Sequence, residues 1–246
     1  MLTFFRRLRI KLLKENKMGQ YVKYAIGEIL LVVIGILLAL QINVWNQNRV
    51  NRKVEKDIIS SLNKDFKANK TAVKKHLGEL ERQMNSNRQL MALIGSTREE
   101  LESHNLDSLM SVSMGDSDLA FADNTLNNLI QTDRLNLITN DSLTSLLYQW
   151  GTLKAIRETR AERSDQWVNE EYLPYLMSKI SFKQMDAYGG FDWAGESKVK
   201  PDYYGLFQEV KFENFLDNTL WYNQKLLERG REIDSLIQHI IEETEP

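Results

Sequence analysis

The sequence predicts an all-α protein: one transmembrane helix continuing into a long helix, then an extramembrane helical bundle. Three observations predict it. Residues 29–40 form an unbroken apolar run of Ile, Leu, Val, Gly and Ala. From Val50 to Ile94 the inward-type residues recur at a helical period. No later segment sustains the apolar–polar alternation of a strand.

The apolar run widens to 22 residues between Tyr24 and Trp45, with Glu28 as its one charge. At about 1.5 Å per residue this spans roughly 33 Å, enough for a hydrocarbon core of about 30 Å. Tyr21, Tyr24 and Trp45 stand where interfacial aromatics belong. Leu38-Ala39-Leu40-Gln41 is no small-x-small cleavage site, so the segment reads as an uncleaved signal-anchor rather than a signal peptide. Seven basic residues precede it (Arg6, Arg7, Arg9, Lys11, Lys14, Lys17, Lys23), against four in the fifteen residues that follow (Arg49, Arg52, Lys53, Lys56). That bias keeps the N-terminus in the cytoplasm and sends the C-terminal part into the periplasm. Residues 1–23 carry a further signal. Leu2, Phe5, Leu8 and Leu12 share a stripe flanked by basic residues, as in a helix lying on anionic lipid. A disordered basic region acting only on topology is the other reading.

Within the span, Glu28, Gly35 and Ala39 fall on one face. A small-xxx-small stripe with a polar group admits a second transmembrane helix, from another copy or a partner membrane protein. The other reading has Glu28 reaching headgroup water, with the small residues incidental.

Tyr24-Ala25-Ile26-Gly27-Glu28-Ile29 and the stretch from Ile34 to Asn46 resemble the opening of an uncharacterised family of single-pass membrane proteins from Bacteroidota, a domain of unknown function. Asp133-Arg134-Leu135-Asn136-Leu137-Ile138 and Tyr172-Leu173-Pro174-Tyr175-Leu176 are similar to that family's internal landmarks. The resemblance implies location and architecture. It brings no catalytic residues with it.

The stripe beyond the span runs Val50, Val54, Ile58, Leu62, Phe66, Asn69, Val73, Leu77, Leu80, Met84, Asn87, Met91, Ile94, about 3.67 residues per step. This predicts a juxtamembrane helix over 47–95. Its two Asn argue for packing within the chain rather than a simple coiled coil. Gly95-Ser96-Thr97 ends it, and Thr97-Arg98-Glu99-Glu100 reads as a capping box. Asp116-Ser117-Asp118 and Asn140-Asp141-Ser142 are further start signals. Pro174 should kink or end the helix begun at Asn140. Gly189, Gly190, Gly195, Pro201 and Gly205 mark 183–205 as a loop, and a last helix runs from about Leu206 to Ile241. Residues 96–246 thus complete the bundle.

Chemistry is sparse. The chain has no Cys and three separated His, and its post-span portion is acidic, which disfavours nucleic acid. His76, His104 and His239 read as surface residues. No nucleotide, metal or hydrolase motif occurs, so neither an enzyme, a cofactor nor a metal is expected. Lys154, Arg157, Arg160 and Arg163 recur every third residue, either a solvated face laced with Glu or a row able to hold a carboxylate or phosphate. Residues 182–222 hold eleven of the 23 aromatics, and Tyr188, Phe191, Trp193, Tyr203 and Tyr204 lie in the loop. They form either a partner-binding surface or a lid closing the bundle. The expected function is a non-enzymatic membrane-anchored scaffold or partner-binding module of the cell envelope. The alternative is an extracytoplasmic small-ligand sensor that signals through a partner.

Overall fold

The computed structural model describes residues 18–115 and 118–245. The basic segment 1–17, Asp116, Ser117 and Pro246 lie outside the described residues. The described residues are predominantly helical, with no strand among them. Two compact units meet between Asp57 and Ile58.

Helix α1 (Met18–Ala92) has 75 residues and enters both units. In the first unit its apolar window has no residue buried in the protein. Leu31 is 69 % exposed and Ile29 65 %. Among the described residues this is the one helix long and apolar enough to cross a membrane.

In the second unit the expected stripe becomes the core-facing side of α1. Ile58, Leu62, Phe66, Asn69, Val73, Leu80, Met84 and Asn87 are buried. Gly95, at φ +77°, turns the chain, and its N–H donates to the Phe207 carbonyl at 2.9 Å. Thr97 then caps α2 (Arg98–Glu102), its hydroxyl accepting from Glu100 N–H, and α3 (Leu106–Ser113) follows. The start expected at 116–118 is displaced. Asp118–Asp123 is irregular, and α4 (Asn124–Gln131) begins only after Asp123. Asn69 accounts for the shift. Its amide accepts from Ala122 N–H (2.7 Å) and donates to Ala122 C=O (3.0 Å), holding that residue outside a helix.

Asn140 caps α5 (Asp141–Trp167) by accepting from Leu143 N–H, as expected. Pro174 neither breaks nor sharply ends this helix. The chain widens into a π-turn at Val168–Tyr172, where Leu173 N–H bonds Val168 C=O, and continues as α6 (Leu173–Met177). The wider turn accommodates a residue that has no N–H to give the ladder. The expected loop is partly helical: α7 (Phe182–Met185) leads into a 3-10 turn (Asp186–Gly189), and α8 (Tyr203–Phe207) closes it. The last helix, α9 (Val210–Thr244), starts later than expected because Leu206 and Phe207 belong to α8. Val210, at the start of α9, is exposed.

The long helices of this unit form a three-helix bundle. Asn63 bonds Thr244, Lys70 pairs with Asp234, and Leu77 packs on Gly230, so α9 runs antiparallel to α1. Asn140 and Ser142 bond Glu243 while Trp167 packs on Tyr222, so α9 is antiparallel to α5 as well. Phe66 lies edge-on to Trp150 at 5.0 Å, and Phe121 meets the same indole at 4.8 Å. Near the π-turn, Trp167, Tyr172 and Phe215 form a three-ring cluster, each pair of ring centres 4.9–5.7 Å apart. Short helices α2, α3, α7 and α8 cover that end with Leu101, Met110, Met185 and Phe207.

Candidate functional site

Sequence reasoning singled out two places and a basic row over 154–163, and the bundle brings one residue of that row, Arg157, into a third. On the membrane-type segment, Gly35 and Ala39 are exposed and a Cβ at Gly35 would meet open space. Glu28 is half-buried on the same helix.

The loop aromatics divide. Tyr203 is tied down: its hydroxyl donates to Asp107 Oδ1 at 2.5 Å, and burial pushes that phenol above its ordinary range. Tyr188 accepts from Asn105 Nδ2 at 2.7 Å, and the Arg98 guanidinium lies 4.8 Å from the Tyr204 ring centre. Phe191 and Trp193 stack on each other at 4.7 Å and stay exposed. Tyr203 therefore anchors the segment, while Phe191 and Trp193 face outward.

The third place follows from a pattern within α1. Leu62, Asn69, His76, Gln83 and Leu90 are spaced by seven and all buried. Seven residues are nearly two helical turns, so the three central polar side chains line one seam. Gln83 Nε2 donates to Gly115 C=O at 2.5 Å, and Asn87 donates to the Gln83 and Ser113 carbonyls.

His76 is 3 % exposed, which corrects the surface reading; His104 and His239 are exposed as expected. Opposite it stands Arg157, 6 % exposed, with Nη2 3.3 Å from His76 Nε2. The solvated-face reading holds for Arg163 and fails at Arg157. One residue of the row faces inward because three-residue steps drift around a helix of 3.6 residues per turn. Lys154 pairs with Asp123 and Glu158 instead. Burial pulls the Arg157 guanidinium below its usual range, opposed by the carboxylates of Glu158, Asp165 and Asp118.

His76 and Arg157 line a cleft of about 630 Å³. Buried Gln83, Ser164, Thr219 and Asn223 add polar groups to its wall. Leu80, Leu119, Trp167 and Leu226 supply apolar surface. Asp118, Glu158, Glu162 and Asp165, all exposed, edge it. The π-turn contributes Val168, Asn169 and Tyr172. Such turns are common at functional sites. Two sequence signals bear on this place: the basic row containing Arg157, whose second reading was a row able to hold a carboxylate or phosphate, and the seven-residue spacing of Asn69, His76 and Gln83. Among the described residues no three His, Asp or Glu converge to hold a metal ion.

No family model matches the chain, and no curated protein or solved structure matches it significantly.

Proposed function

We propose that this chain is a non-enzymatic, single-pass module of the cytoplasmic membrane, with its N-terminus inside and its bundle in the periplasm, where it holds a partner. It has the location and architecture that the resemblance over residues 24–46 implies. One observation carries the reading: the apolar window of α1 buries nothing within the protein, whereas the same helix buries a full stripe after Ile58. Water does not tolerate so long a contiguous apolar surface, and lipid does. The basic bias before the span supports the orientation. Within the bilayer, Glu28, Gly35 and Ala39 are the face for a second helix, of another copy or of a partner. Outside it, Phe191 and Trp193, with Tyr188 and Tyr204 beside them, form the partner-facing surface of the loop that Tyr203 anchors.

The absence of cysteine makes the test direct, since one introduced thiol is a unique reporter. Ser145→Cys, at an exposed position of α5, should react with a membrane-impermeant maleimide in intact spheroplasts. Labelling only after lysis would reverse the orientation, and release by alkaline carbonate would remove the anchor. Photocrosslinkers at positions 35 and 39 should give an adduct in membranes; no adduct rejects the helix contact.

A second reading, a small-ligand sensor signalling through that partner, is favoured by the cleft at Arg157, where a buried charge stands beside empty space.

A further inference from the structure

We propose that the Arg157 cleft binds a small zwitterion of the amino-acid class, its carboxylate toward Arg157 and its ammonium toward the acidic edge. The proposal deepens the ligand-sensing reading and rests on it.

The floor comes first. Arg157 is 6 % exposed, its hydrogen bond is to His76, and among the described residues no carboxylate pairs with it within 4 Å. A buried guanidinium remains charged and is costly without a hydrogen-bonded counter-ion. Its planar fork matches a carboxylate in two-point geometry. Asn223, Thr219 and Ser164, buried in the same wall, are further polar partners for a bound head group.

The edge then restricts the ligand. Glu158, Glu162 and Asp165 follow one another at helical spacing on α5, and Asp118 joins them. A phosphate dianion would meet all four carboxylates on its way in. A bare amine would be opposed by Arg157 at the floor. A molecule with both charges a few ångströms apart satisfies floor and edge together. Leu80, Leu119, Trp167 and Leu226 offer its side chain an apolar wall. A volume of about 630 Å³ accommodates any amino acid and falls in the usual range for ligand pockets, about 300–1,000 Å³.

The experiment is thermal unfolding of the full-length protein in detergent. Each of the twenty L-amino acids and inorganic phosphate is added in turn, then the deaminated acid and decarboxylated amine of the best amino acid. An amino acid with an apolar side chain should raise Tm by about 5 °C near 100 Kd, and neither analogue should match it. Arg157→Lys, which keeps the charge and loses the fork, should weaken binding at least about tenfold. Glu162→Gln, exposed and outside the core, should weaken the amino acid and spare the deaminated acid. Stabilisation by phosphate, or equally by the deaminated acid, overturns the zwitterion assignment while leaving a ligand-binding cleft. No shift with any probe, or wild-type binding by both variants, overturns the cleft as a ligand site. The cysteine-labelling result is independent of all these outcomes.

Discussion

Asn69 occupies a core position of an apolar stripe, yet an apolar residue there would be worse. Its amide, buried itself, makes both hydrogen bonds available to the half-buried Ala122 backbone. Asn69→Leu should therefore destabilise the bundle by about 1–2 kcal/mol, even though it completes the stripe, because two half-buried backbone groups lose their partners. Chemical denaturation checks this, and unchanged stability would refute it. The stripe was legible in the sequence because its period survives two Asn. The role of Asn69 was not, because Ala122 lies 53 residues away. His76 was illegible for the same reason, since a polar residue reads as surface until a distant element covers it; Arg157 stood in a row whose anion-holding reading was open, but which member faces inward was not legible. A titrating residue gives a second test. Glu209 accepts from Lys179 Nζ (2.7 Å) and Tyr175 Oη (2.8 Å), which hold its carboxyl below the ordinary value of 4.5. A carboxyl depressed in the folded state stabilises above its unfolded value, and that contribution fades as pH falls through the folded value. Between about pH 5 and 3 the wild type should lose Tm more steeply than Glu209→Gln; parallel curves would contradict this.

Caps and breaks act on whole elements. Asn140 was readable as the start of α5, and its side chain does accept from Leu143 N–H at 3.1 Å. Asn140→Ala should cost about 1 kcal/mol in denaturant unfolding, with Asn140→Ser, which keeps a capping oxygen and loses the amide, close to wild type. Equal losses for both would mean that the amide contact to Glu243, not the cap, matters. Pro174 was readable as an interruption, but its form was not. A π-turn is settled by what the neighbouring helices demand, and here it brings Tyr172 against both Trp167 and Phe215. Asp118 misled as a start signal because an acidic residue caps a helix only if the following chain is free to coil, and Asn69 removes that freedom.

At the scale of the molecule, the second unit carries its own interior. Phe66, Trp150 and Phe121 meet at one level, Leu80, Met84, Leu226 and Leu227 at the next, and a larger cluster from Leu90 to Leu216 fills the far end. Residues 29–50 of α1 add nothing to these clusters, being exposed. Close approach also serves this packing: at Gly230 a Cβ would come within 2.7 Å of the Leu77 side chain. A chain starting at Asn51 should therefore remain soluble without detergent and unfold cooperatively within a few degrees of the full-length protein. The expectation follows from burial alone, because 58–246 retains every buried apolar residue named here. Circular dichroism melting of both forms is the measurement. A truncated chain that aggregates, or melts without a cooperative transition, would mean that the bundle depends on residues before Asn51 and that the apolar window does more than anchor it.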